Sequence, residues 1–432
     1  MNSRKQDFQQ AFRNLAQQPL ISVSDRQKFG VSYGEGLLPE LQQLIEDCTE
    51  KNNQIIFAGH RGCGKSTLLA KFAEQIRKDY FTVFFSIADL IETSEINHIN
   101  ILFTIALQLM EEANQQQLNI TEDKKEAVLK WFAKHTRTET EGVAAEVSLG
   151  FDLFSIFKGK LKTDATVREQ ITQEFKKNFR DLIDAINLIA TEIELASHRS
   201  IVVIIDDIDK LDLSRIEDIF KGNIKALLEP QFRVIYTIPI ATVRDAVLKK
   251  HIEDETGNSI YVMPVQKLFK YRERSNYPTQ PLASTMAILK EILRKRVKDD
   301  LFVTGIVEQI ALHSGGVLAE LIRIAQECCR LVRVKMIQQP EDQIFMENAQ
   351  IDERILTEAL DNLRNGMAIT LSQNDRQILA KVYSDYYPED PKQQEFLDLL
   401  HTIYVIEYRN KDSWYDVNPL IVEQLRREGK IG

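Results

Sequence analysis

The sequence predicts an α/β fold with a parallel five-stranded core sheet, a helical lid and a small closing module of helices and a hairpin. Three observations carry this reading. Five short apolar segments alternate with helical patterns up to about residue 274, and beyond that point strands give way to helices. A glycine-rich turn joins the first apolar segment directly to a helix.

Leu37, Leu38, Leu41, Leu44 and Ile45 recur at helical spacing and predict an amphipathic helix ending near Cys48. Gln54–Ala58 reads as a buried strand, followed by a glycine-rich turn and a helix over Leu68–Lys78. Tyr80–Ile87 is a second strand, and helical patterns fill Ile101–Lys134. Gly142–Lys162, rich in Phe and Val and interrupted by glycine, reads as a hairpin or irregular excursion, hairpin-like over Val147–Lys162, and Thr166–Ser197 as one long helix. Ile201–Ile205, Arg233–Ile240 and Ser259–Val265 supply three more strands. Strands apolar on both faces and alternating with helices imply a parallel sheet covered on each side.

A Tyr-Pro-Thr-Gln-Pro linker at 277–281 opens the helical region: Leu282–Lys298, Thr304–His313 and Val317–Lys335. Two further helices, Ser372–Tyr386 and Gln393–His401, precede Tyr404–Tyr408 and Trp414–Val417, which flank a polar turn. Helices closed by a hairpin predict a winged-helix-like module. The expected domains are an N-terminal extension (1–34), a core (35–276) with an insert at about 109–198, a lid (277–368) and the closing module (369–432). An insert of that length carries partner contacts or forms a helical layer over the sheet, and both readings stand.

With 432 residues, 44% hydrophobic and 28% charged, the chain has the composition of a soluble globular protein of two or three domains. Its net charge of −9 does not suggest whole-protein attraction to nucleic acid or anionic lipid. From Ser372 to Gly432, eight Lys/Arg face eleven Asp/Glu, a net of −3 that disfavours DNA binding by the closing module. The lid is more basic (Lys290, Arg294, Lys295, Arg296 and Lys298 among others), which on amphipathic helices reads as a solvated face. Met1–Leu20 lacks the apolar core of a signal peptide, and Ile201–Ile205 is far too short to cross a bilayer. Four cysteines without CxxC spacing argue for a reducing compartment with no disulfide framework and no structural zinc. A cytoplasmic location is expected, with no membrane contact.

Two motifs carry chemistry. Gly59-His60-Arg61-Gly62-Cys63-Gly64-Lys65-Ser66-Thr67 lies between a strand and a helix, the context a phosphate-binding loop requires. Its glycines let backbone N–H groups turn inward around phosphates, and the following helix adds its N-terminal dipole. Lys65 would neutralise the β/γ-phosphates of ATP, and the Ser66 hydroxyl would ligate Mg2+. Cys63 lies where the backbone matters more than the side chain. The second motif is Ile201–Ile205 followed by Asp206 and Asp207, four or more apolar residues ending in two carboxylates. Asp206 would hold the magnesium through water, and Asp207 would polarise the attacking water. Asp209 and Asp212 continue the turn as solvated or structural acids.

The phosphate loop, the Asp206-Asp207-Ile208-Asp209 stretch and a later helical region bearing Ser314-Gly315-Gly316 together resemble the AAA+/STAND ATPases, nearest the origin-recognition-type initiators and archaeal-type ATPases. The resemblance spans about Leu37–Val334 and extends more weakly to the winged helix. It implies ATP binding and hydrolysis with magnesium, assembly as a homo-oligomer when ATP is bound, and a protein partner that reads the nucleotide state. The alternative it leaves open is an ATPase that loads on or remodels DNA. By position, Thr237 is the sensor-1 residue facing the γ-phosphate, or else a β-branched core residue. Thr304–Arg323 holds sensor 2. Relatives often carry arginine at the position of Ala319, and Arg323, one turn later on the same face, is the candidate substitute. Many relatives have glutamate where this chain has Asp207, which suits slow hydrolysis. Arg215, Arg244, Arg272 and Arg274 are candidate arginine fingers.

Overall fold

The computed structural model describes residues 3–49, 52–138, 153–273, 280–339, 343–409 and 413–432. By internal contacts the chain falls into two compact units. One comprises residues 36–58 and 69–262, the other residues 1–35, 59–68 and 263–432.

The first unit is built on a five-stranded parallel sheet in the order β2-β3-β4-β1-β5, where β1 is Gln54–Gly59, β2 Phe81–Ser86, β3 Ile201–Asp206, β4 Arg233–Pro239 and β5 Tyr261–Met263. Phe81 pairs with Ile201 and Ser86 with Asp206, so β2 and β3 leave the sheet at the same level. β3 is buried along its whole length, which explains its unbroken apolar run.

Over its described residues, the regular elements of the insert are all helices. They are His98–Gln115, Glu122–His135, Leu153–Thr163, Ala165–Lys177 and Phe179–Ser197. The hairpin expected within Val147–Lys162 is corrected over its described part. Leu153, Phe154, Phe157 and Leu161 are buried at helical spacing, and Gly159 is exposed with open space around it, so nothing there interrupts the helix. Residues 139–152 lie outside the described residues. The single helix expected over Thr166–Ser197 is two, broken at Asn178, which leaves helical geometry at φ −120°, ψ 47°. Asparagine departs from the helix at low cost because its side chain competes for local backbone groups.

An aromatic cluster joins the insert helices. Phe103 packs 5.3 Å from Trp131 and 5.5 Å from Phe132, and the His135 ring lies 4.8 Å from both Trp131 and Phe175. His135 Nδ1 is 2.9 Å from Glu174 Oε2, and its side chain is 4% exposed. Burial pulls the imidazole below its ordinary pKa, a shift that Glu174 opposes only in part. The fold therefore prefers neutral His135, while an unfolded chain takes up the proton near pH ~6.5. Stability should fall as pH drops through that value. Urea midpoints at pH 7.5 and 5.5 should show a larger acid loss for the wild type than for His135→Phe, and equal losses would refute this account.

The core of the second unit joins the N-terminal helix Ser3–Asn14 to the helical region. Phe8 and Leu15 share it with Leu289, Ile310, Leu321, Cys328 and Leu356. Arg4 reinforces the docking through Nε to the Ala349 carbonyl (2.9 Å) and its ion pair with Asp300 (2.6 Å). Ala283–Arg294, Ile306–His313, Leu318–Gln338 and Glu353–Ala368 are the principal helices of this region. After them come Gln373–Asp385, Gln394–His401, the antiparallel pair β6 (Val405–Arg409) and β7 (Ser413–Val417), and a last helix, Pro419–Arg427. Two N-terminal helices and the helices over 353–368 and 419–427 are additions to the elements read from sequence. Among the described residues no helix is long and apolar enough to cross a membrane.

Candidate functional site

β1 runs into the glycine-rich loop, and the helix Lys65–Ile76 begins at the lysine. Gly62 and Gly64 both have positive φ, +71° and +102°, the region that glycine enters without penalty. Lys65 is buried, and its Nζ donates to the carbonyls of Gly59 (3.1 Å) and His60 (2.8 Å). Ser66 and Thr67 are half-buried, Arg61 is exposed, and Cys63 is buried. The Thr67 hydroxyl accepts from the Leu20 N–H at 3.0 Å.

Residues of the helical region and of the N-terminal segment line the same loop. The Ala319 N–H, in the first turn of the helix Leu318–Gln338, donates to the Gly62 carbonyl at 3.1 Å. That bond satisfies one of the orphan donors of a helix start. A Cβ on Gly62 would lie 2.3 Å from the Ala319 Cβ. The position where the resemblance expects an arginine is thus filled by a methyl group seated on the loop. Arg323 turns elsewhere, to Glu320 as an ion pair and to the Met367 sulfur at 3.5 Å. Around Gly64 lie Leu318, Tyr33 and Met263. Burial pushes the Tyr33 phenol well above its ordinary pKa, with nearby Cys63 adding to the effect. Sequence reasoning missed Tyr33 by placing it in an extension. The aromatic flanked by Gly30, Gly34 and Gly36 was the available signal.

In the sheet unit, β3 ends in a buried acidic cluster. Carboxylate oxygens of Asp206, Asp207 and Asp209 lie within 4.8 Å of one another, the charge density a divalent cation would balance. Asp207 adopts the left-handed conformation, φ +70°. Both its oxygens are engaged, one by the Ser86 hydroxyl at the end of β2 (2.7 Å) and one by the Lys210 ammonium (2.6 Å). The Thr237 hydroxyl donates to the Ile205 carbonyl at 3.2 Å. Ser86 and Lys210 were not singled out from the sequence, because their importance depends on the β2–β3 register and on the turn after Asp207. Of the arginine-finger candidates, Arg215 is exposed, Arg244 is half-buried, Arg272 stacks on the Tyr271 ring at 5.0 Å, and Arg274 lies outside the described residues.

A glycine-rich phosphate loop after β1 and a strand ending in buried acids, on one parallel sheet, define a P-loop NTPase. The chain belongs to the KAP family, whose P-loop domain matches residues 38–261, just over half of its length. No curated protein matches it. Among solved structures it is similar to the Walker-type ATPase PABY2304 of Pyrococcus abyssi, at 14% identity and TM-score 0.48, over 96% of this chain and 99% of that one. Cdc6p of Pyrobaculum aerophilum aligns at 11% identity and TM-score 0.39, over 94% and 98% of the two chains. The Aeropyrum pernix Orc1 protein, solved in complex with DNA, aligns at 10% and 0.39, over 92% and 94%. At these identities and TM-scores no activity is transferred from any of the three.

Proposed function

We propose that the chain is a slow, magnesium-dependent ATPase that acts as a switch of the STAND kind, coupling nucleotide state to homo-oligomer assembly or to a protein partner, with 369–432 as a winged-helix-like module. The observation that supports this most is the buried Asp206–Asp207–Asp209 cluster at the end of β3, in a chain whose β1 leads into a phosphate loop. Bound Mg2+ would neutralise phosphate charge and polarise the bond to the leaving group. Ser66 and Asp206 would hold it, and the loop N–H groups and Lys65 would bind the phosphates. Asp207 would orient the attacking water once its bonds to Ser86 and Lys210 give way, which favours slow turnover. Thr237 fixes the strand end through the Ile205 carbonyl, so its contribution is to place Asp206. The acidic closing module favours a protein partner over DNA.

The test is steady-state ATP hydrolysis with and without magnesium, in wild type and Asp206→Asn. Loss of roughly 100-fold or more on either change is expected, since a metal-held charge is removed from the reacting phosphate. Equal rates across all arms would sink the ATPase reading.

A further inference from the structure

His60 is the second residue of the glycine-rich loop, and nothing in the loop chemistry calls for an imidazole there. The residue is 2% exposed, and its Nε2 accepts the backbone N–H of Glu407 in β6 at 2.8 Å, across 347 positions of sequence. Accepting at Nε2 requires a neutral ring with its proton on Nδ1. Glu407 pairs with Tyr415 of β7, so the hairpin supplies this donor from a fixed strand. Its carboxylate is itself buried and bound by Arg409 at 2.7 Å.

The neighbours of Glu407 hold the lid turn. The Tyr408 hydroxyl donates to the Gly315 carbonyl at 2.6 Å, and Ile406 Cδ1 sits 2.7 Å from where a Gly315 Cβ would be. Three consecutive residues of one strand thus grip the glycine turn before the helix Leu318–Gln338 and the phosphate loop together. The same histidine meets the loop lysine from its other end, because the His60 carbonyl accepts Lys65 Nζ at 2.8 Å. His60 is therefore bonded at its carbonyl to the group that would leave for a phosphate, and at its ring to the C-terminal hairpin.

We propose that His60 is a positioning residue that latches the C-terminal hairpin to the phosphate loop and reports nucleotide arrival to it. This rests on the nucleotide-binding reading of the loop. When Lys65 turns to the β/γ-phosphates it releases the His60 carbonyl, the peptide that aims the imidazole loosens, and the Glu407 N–H loses its acceptor.

Hydrogen–deuterium exchange on the full chain reads this directly, in a peptide covering 405–409. His60→Ala should speed exchange there on the order of tenfold without nucleotide, the loss of one buried acceptor. His60→Gln, which keeps an acceptor at similar reach, should restore most of the protection. Saturating Mg-ATP should speed exchange at the same peptide in wild type but not in Lys65→Ala. Unchanged exchange in a folded His60→Ala, or no restoration by His60→Gln, overturns the latch. The wild-type arm needs no variant and stands even where His60→Ala fails to fold. Titration with a fluorescent ATP analogue separates the two ideas. Binding without a change at 405–409 defeats the coupling alone, whereas absence of binding defeats the nucleotide reading and leaves the His60→Ala arm to judge the latch.

Discussion

Replacing Lys65 with alanine should lower ATP turnover by roughly 100-fold or more, the scale associated with removing one preorganised positive group from a phosphoryl transition state. The ammonium is buried on the Gly59 and His60 carbonyls, so it is poised in the loop with few conformers to lose. Its removal also strips both carbonyls of a donor, at a stability cost of about 1–3 kcal/mol for each buried group left unsatisfied. Lys65→Gln is the companion variant, since an amide can still donate to a carbonyl but brings no charge to a phosphate. Both variants should lose turnover, and Lys65→Gln should keep more of the wild-type melting temperature. Wild-type turnover in either variant would mean that another cation does this work. Single-turnover hydrolysis together with thermal melts decides between these outcomes.

Gly62→Val should be the most damaging change in the loop that leaves every charge in place. The residue sits at φ +71°, which a β-branched side chain adopts only under strain, and a Cβ there would lie 2.3 Å from the Ala319 Cβ. Strain and overpacking together should cost about 2–4 kcal/mol. A lower melting temperature, with weaker binding of a fluorescent ATP analogue, is the expected pair of results. The alanine variant should show the same pattern more mildly, since it meets Ala319 but escapes the branching penalty. Unchanged melting and affinity in Gly62→Val would show that the Leu318–Gln338 helix is not seated on the loop.

What the sequence made legible was local. β3 announced itself because a strand buried on both faces admits only apolar residues until it reaches Asp206. The phosphate loop was legible because its glycines, lysine and serine are contiguous, and the hairpin β6–β7 because a polar turn separates two aromatic-rich strands. What stayed hidden depended on distance or on small energies. Nothing near Asn178 distinguishes a helix break from a polar position on one continuous helix. Leu153–Thr163 looked irregular because Phe and Gly weaken a helical pattern that packing against Phe132 restores. The partners of Asp207 come from the end of another strand and from the turn after it. The meeting of His60 with Glu407 joins two segments that no periodicity relates.

The close seat of Ala319 on Gly62 bears on how this chain could have changed over time. With its N–H bonded to the Gly62 carbonyl and its Cβ facing a glycine that has no room for one, position 319 tolerates little more than a methyl group. An arginine introduced there by a single codon change would meet the loop backbone before it could reach a phosphate. Seating it would first require the helix start to withdraw, a step that gives up the bond to Gly62 and returns nothing until the arginine arrives. Neither step is favoured alone, so an arginine and the present packing are separated by a valley, and position 319 is held at alanine by its own neighbours.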